Sequence, residues 1–324
     1  MHPYHYSTFS YLCGMAHAIV PKVDQLDQRI NEVLAGRLRP NTLRAYKAAL
    51  KSYADFCRLT AGEPALPATL LRYLQYMADR PEKPAKYATL SLHAAAIRQA
   101  FPETNTEVVR KWLSAFAKQA ATEPTRKAAL NGRVLHLIRW DSGVKGLRDR
   151  ALILLGFFGA MRRSELVGLN IKDVEFTPKG LYLKIRRAKT AKGGEVQKIG
   201  ILYAQNPAIC PVRALQAYLA VRKKLGGEAL FTRMRHNTLT KDRLTAQSVA
   251  LIVKDYADRL GLDPKAFSAH SLRAGCITTA AELGAPDWQI QRHSRHKSLK
   301  VLHTYIRPAK IFDHNITAIL GEGL

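Results

Sequence analysis

The chain is short of acid. Its 324 residues hold 25 Asp+Glu against 51 Lys+Arg, a formal net charge of +26 at pH 7. It is also short of cysteine, with four residues and no Cys-x-x-Cys pair. Cys13, Cys57, Cys210 and Cys276 lie far apart in apolar contexts, which argues against a disulfide-built scaffold and predicts reduced thiols in a cytoplasmic protein. No apolar run approaches the roughly 20 residues that cross a bilayer. The longest, "ALILLGFFGAM" (151–161), has the length of a buried helix. The first 22 residues lack a basic stretch followed by a clean apolar one, so they read as an extension and not as a secretory signal. Met15 is an alternative start. No phosphate-binding glycine loop is present, and His2 and His5 are too isolated to suggest a metal site.

What is present is enough apolar sequence for two cores: 47% hydrophobic over a length that suits two domains. The positive excess raises the local concentration of polyanions. It suits a nucleic acid, an anionic membrane surface or an acidic protein, and the lack of a spanning segment weakens the second.

The first segment, 23–121, reads as an all-helical bundle. "RPNTLRAYKAALKSYADFC" (39–57) opens with a capping signal and puts Leu43, Tyr46, Leu50, Tyr53 and Cys57 on one helical face. Arg44, Lys47 and Lys51 fall off that face and are candidate phosphate contacts. Similar patterns over 68–80, 87–101 and 106–120 continue the bundle. A polar stretch broken by Pro124 and Gly132 predicts a linker over 122–132. The second segment, 133–324, adds a helix at 147–161 and a β-hairpin from 180–190 and 194–202. Helices follow at 210–226, 245–261, 271–284 and 285–294, and an apolar tail helix at 311–320 ends it. The expected class is mainly α with a small β-hairpin, an α+β second domain.

Four clusters carry chemistry. "MRRSELVGL" puts Arg162 just after a buried helix, with Glu165 three residues on. The hairpin carries Arg187, Lys189 and Lys192. In "AHSLRAG" His270 and Arg273 stand three apart at a helix start, where they share a face and where an anion is favoured. Finally "HSRHKSLKVLHTYIR" (293–307) holds three histidines and four Lys/Arg but no carboxylate. It contains Arg295, His296, Lys297, Lys300 and Tyr305. Taken alone, Tyr305 reads as a packing aromatic. Arg133, like the other flanking basic residues, reads as a backbone contact or a solvated charge.

The order Arg, hairpin Lys, His-x-x-Arg, His, Tyr resembles the tyrosine recombinases, the Cre/Xer/lambda-integrase family. The resemblance implies Arg162, Lys189, His270, Arg273, His296 and Tyr305 as the catalytic set, with Glu165 in support. It covers nearly the whole chain, with "RPNTLRAYKAAL" similar to the start of the family's SAM-like core-binding domain. One departure stands out: Arg295 precedes His296 where the family usually has Gly. The resemblance implies a two-domain, C-shaped clamp on duplex DNA, acting in the cytoplasm at the nucleoid. It further implies an inverted-repeat target, a dimer per site, a tetramer in synapsis, and a tail helix that docks on a neighbouring protomer. Strand exchange would run through a covalent 3′-phosphotyrosine and a Holliday junction, with no metal or ATP.

The chemistry supports this set independently. A tyrosine of ordinary pKa, about 10, needs roughly 4 kcal/mol to ionise at pH 7. Deleting one preorganised donor of such a pocket typically costs about 2.7–4 kcal/mol, so several cations together cover that need. Arginine grips phosphate oxygens as a planar fork, and lysine can give up a proton to a leaving oxygen. A type IB topoisomerase shares this chemistry but relaxes supercoils without a partner site. A DNA-binding protein without catalysis is the third reading, which six filled positions argue against.

Overall fold

A computed structural model describes residues 26–36, 38, 40–120, 128–185, 196–296 and 298–309. The chain divides into two compact units, Met1–Thr125 and Arg126–Leu324.

The first unit is helical throughout its described part. A helix over 26–35 (α1) precedes α2 (Pro40–Thr60), α3 (Pro67–Ala78), α4 (Tyr87–Ala100) and α5 (Glu107–Gln119). Proline opens α2 and α3, where its missing N–H costs nothing. On α2 the buried residues are Ala49, Leu50, Tyr53, Ala54 and Cys57, spaced as one helical face demands. They meet Leu70, Tyr73, Leu74, Leu90, Ile97 and Val109 in a single core. Two buried tyrosines pack edge-on at 5.1 Å. Their hydroxyls are satisfied, Tyr53 donating to the Pro64 carbonyl and Tyr73 bonding Ser52 and His93. Arg44, Lys47 and Lys51 are exposed on α2.

The second unit is built around α6 (Gly143–Phe158), whose residues Ala151–Phe157 are all buried. A helix that is apolar on every side must be covered on every side. α8 (Pro211–Arg222) and α10 (His270–Glu282) pack on it, and α9 (Ala246–Arg259) packs against the short α7 (Arg163–Gly168). Thr245 caps α9 by accepting from the Ser248 N–H at 3.1 Å. Helices α11 (Asp287–Ser294) and α12 (Leu299–Ala309) complete the unit. On α10 a glycine is obligatory: a Cβ at Gly275 would sit 2.0 Å from the Leu130 carbonyl oxygen.

The expected hairpin is present, and it belongs to a three-stranded antiparallel sheet. The strands run in the order β1 (Val174–Thr177), β2 (Gly180–Ile185), β3 (Gln197–Leu202). Leu181, Leu183, Ile199 and Ile201 face the core while Tyr182, Lys184 and Lys198 do not, the alternation of a sheet with one wet face. A second hairpin, β4 (Thr232–Arg235) and β5 (Thr238–Arg243), was not anticipated. Its two turn residues, His236 and Asn237, both have positive φ (46° and 61°), the geometry of a type I′ turn. From β5, Arg243 donates to the carbonyls of Val167 and Leu169, satisfying the end of α7.

Residues 128–132, expected in the linker, are tied into the second unit. The Ala128 and Leu130 N–H groups donate to Ala266 and Ser271. The expected extension 1–22 and tail helix 311–320 lie outside the described residues.

Candidate active site

The site begins where α6 ends. The sequence pattern carries the helix to residue 161, but it stops at Phe158. Ala160 adopts a positive φ of 44°, and the reversal turns the chain into Arg162, the residue before α7. Glu165, in the first turn of α7, folds back. Its Oε2 accepts the Arg162 backbone N–H at 2.9 Å and its Oε1 accepts the Arg162 guanidinium at 2.7 Å. The carboxylate is fully buried. Burial pushes its pKa up, but the charge of Arg295 and the bonds from Arg162 outweigh this and hold it below the usual carboxylate value.

His270 and Arg273 lie at the start of α10, as their spacing predicts. His270 keeps some surface in solvent although its neighbours largely enclose the ring, whereas Arg273 is 1% exposed. The buried guanidinium donates to the Ala160 carbonyl at 2.6 Å and to His296 Nε2 at 3.1 Å. Burial, then the nearby Arg162 and Arg295, lower its pKa to about 10, so it keeps its charge at neutral pH.

Helix α12 presents the tyrosine. Leu302 and Ile306, one turn apart, dock against Ile277, Ala281 and Ile290, with Tyr305 on the rim of that cluster. His303 Nε2 lies 2.8 Å from Asp287 Oδ2 and links α12 to α11. The outcome is that the Tyr305 hydroxyl lies 2.8 Å from His270 Nε2. Its ring centre is 6.0 Å from those of both His270 and His296.

The protonation of the histidines follows from their partners. Burial, then the charges of Arg273 and Arg162, lower the His296 pKa to about 4, so the ring is neutral at pH 7. A guanidinium can only donate, so Nε2 of His296 accepts and the ring proton sits on Nδ1. That proton is then donated to Ser294 Oγ at 2.8 Å. Burial, followed by Arg273, Arg162 and Arg163, also lowers the His270 pKa. His270 is therefore a neutral ring touching a phenol, which makes it competent to accept that proton.

Five of the six residues expected from the sequence thus converge: Arg162, His270, Arg273, His296 and Tyr305, with Glu165 beneath them. Lys189 lies outside the described residues, as do Arg187, Lys192 and Lys297. Arg133 and Lys300 are exposed. Arg295, expected among the backbone contacts, instead has its guanidinium inside the protein against Glu165 at 2.9 Å. Ser294 was not anticipated at all; its role arises only because the chain turns sharply after it. His293 donates from Nε2 to the Phe158 carbonyl at 2.7 Å and lines an apolar cavity of about 690 Å³ that Arg133 also borders but none of the five converging residues does. Among the described residues no group of three or more His, Cys, Asp or Glu is arranged to hold a metal ion. No described helix is long and apolar enough to cross a membrane.

Known proteins resemble this chain. Residues 134–311 match the model of the Phage integrase family. The "Integrase/recombinase xerD homolog" of Selenomonas ruminantium is 35% identical over 85% of this chain and 84% of its own. In fold, the chain is similar to the Tn1549 transposon integrase in complex with circular intermediate DNA. That likeness has a TM-score of 0.61 and 19% identity over 87% of this chain and 94% of the other. It is also similar to the XerH site-specific recombinase bound to difH substrate, with a TM-score of 0.58 and 19% identity over 84% and 79%.

Proposed function

The chain belongs to the phage integrase family of tyrosine recombinases, and from that premise we propose that Tyr305 is the nucleophile with which it recombines DNA at a specific site. Site-specific DNA recombination is the activity of the enzyme, and DNA is its partner. The observation that carries the assignment is the 2.8 Å contact between the Tyr305 hydroxyl and His270 Nε2, set among Arg162, Arg273 and His296.

In the proposed reaction the Tyr305 oxygen attacks the scissile phosphorus and its proton passes to His270 Nε2. Arg162 and Arg273 hold the non-bridging oxygens and stabilise the charge that gathers on them. The bond from phosphorus to the 5′-oxygen breaks, and Lys189 gives that oxygen its proton. The product is a 3′-phosphotyrosine, a diester that conserves the energy of the broken bond. A 5′-hydroxyl from the partner strand reverses the step, so rejoining needs no nucleotide hydrolysis. Exchange proceeds through a Holliday junction on inverted-repeat sites, with two protomers per site and four in synapsis. The apolar tail 311–320 of one protomer docks on the next, and the enzyme works in the cytoplasm at the nucleoid. Arg44, Lys47 and Lys51 in the first unit contact the DNA backbone, as do Arg133, Arg187, Lys192, Lys297 and Lys300 in the second.

The assignment is tested by trapping. The protein is incubated with a pool of nicked duplexes of randomised core sequence, and the covalent adduct is digested and sequenced by mass spectrometry. The nucleotide should be found on the peptide containing Tyr305. A nucleotide attached to any other residue would overturn the assignment.

A further inference from the structure

Arg295 closes α11 in the left-handed conformation, with φ 60° and ψ 39°. A side chain is disfavoured there and glycine is not. The backbone alone gives no reason for arginine. The side chain does.

The Arg295 side chain is 6% exposed. One terminal nitrogen donates to Glu165 Oε2 at 2.9 Å and to the Ala160 carbonyl at 3.3 Å. The other donates to the carbonyls of Gly159 and His293, each at 3.2 Å. Four acceptors from three separate stretches of chain are thus gathered by one rigid fork. Two of those acceptors are shared with the phosphate-holding arginines. Glu165 also binds Arg162, and the Ala160 carbonyl also binds Arg273. The next residue along the chain is His296. Charge matters as much as geometry. With Arg162 alone against it, the Glu165 carboxylate would cancel the field that Arg162 offers a phosphate. Arg295 supplies a second cation from the interior, so the group Arg162, Arg273, Arg295 and Glu165 carries net +2 and not +1.

We propose that Arg295 is a positioning residue for DNA cleavage: it neutralises Glu165 from inside, leaves Arg162 and Arg273 to the scissile phosphate, and fixes the backbone at His296. The inference rests on the site as read under Proposed function. Arg295 touches no reacting atom in this role. It replaces the permissive glycine that the backbone would favour with a buried strut that the site uses.

The test uses the full chain and a nicked duplex selected by adduct formation from the randomised pool. Arg295→Gly suits the local backbone, so loss of fold is not the expected result, and a melting curve checks it. Single-turnover cleavage should fall about 100-fold, the order seen when reacting groups are misplaced by an ångström, while DNA affinity changes less than about threefold. Arg295→Lys should recover part of the rate, since it restores the charge but not the fork. In a Glu165→Gln background, Arg295→Gly should cost clearly less than it does alone, because the charge to be neutralised is gone. The His296 ring should also titrate higher in Arg295→Gly than in the unaltered protein, since one neighbouring cation has been removed. Wild-type cleavage by Arg295→Gly, or strictly additive effects with Glu165→Gln, would overturn the proposal. Tyr305→Phe, run in parallel, separates the two levels. If it still forms adduct, the reading of the site is at fault. If it forms none while Arg295→Gly cleaves normally, only the role of Arg295 fails.

Discussion

Replacing Glu165 with Gln should be among the most damaging single changes in the second unit, though it alters two atoms' chemistry and almost no volume. The carboxylate accepts from the Arg162 backbone, the Arg162 guanidinium and the Arg295 guanidinium, and none of it is exposed. An amide offers one acceptor oxygen and points an NH2 group at donors, so at least one of these bonds becomes donor against donor. Arg295 is then a buried cation without its counter-charge. Removing one partner of a buried pair costs about 3–5 kcal/mol. A domain of about 200 residues loses about 2–4 °C per kcal/mol, so melting should fall by about 6–20 °C. The effect should also depend on pH. The Glu165 carboxyl is held below its ordinary value of 4.5, so between the two values the unfolded chain binds more protons than the folded protein. The stabilisation is therefore complete above the ordinary value and fades as pH falls through the folded one. Calorimetry of both proteins from pH 7.5 downward should show the gap narrowing in acid. A gap under about 1 kcal/mol at pH 7.5 would refute the view that Glu165 anchors two arginines.

Other consequences follow from the same structure. Gly275→Ala places a Cβ 2.0 Å from the Leu130 carbonyl oxygen, so it should destabilise by about 1–3 kcal/mol in denaturant titration, the usual cost of overpacking; a neutral result would show that α10 can shift freely. NMR titration of the DNA-free protein should find His296 charging near pH 4 and not near 6.5, with its neutral ring protonated on Nδ1. With a net charge of +26, DNA affinity should fall steeply and linearly on a log–log plot against salt; affinity that does not change with salt would contradict phosphate neutralisation as the source of binding.

The helices were legible because their apolar residues recur at three and four and their ends carry proline or Thr caps, as at Pro67, Pro211 and Thr245. The strand Val174–Thr177 was not, since four residues give too short an alternation to separate from a loop. The hairpin over 232–243 was hidden by its polar composition, and its His-Asn turn lacks the glycine that usually marks such a reversal. The site was legible as an order of residue types, and the Arg162–Glu165 pair as a spacing of three. The reach of Arg295 to Glu165 was not, because it spans 130 residues and depends on a left-handed backbone that nothing local announces. The same holds for Ser294, which meets His296 only because the chain reverses between them.

The central claim is that Tyr305 forms the covalent bond to DNA. Its most direct test is adduct capture on the nicked duplex pool with the unaltered protein and with Tyr305→Phe, which removes one oxygen and leaves the packing of α12 in place. The unaltered protein should become covalently linked to DNA, resistant to denaturant, and Tyr305→Phe should bind the same DNA with similar affinity yet yield no adduct. An adduct that persists in Tyr305→Phe would contradict the account.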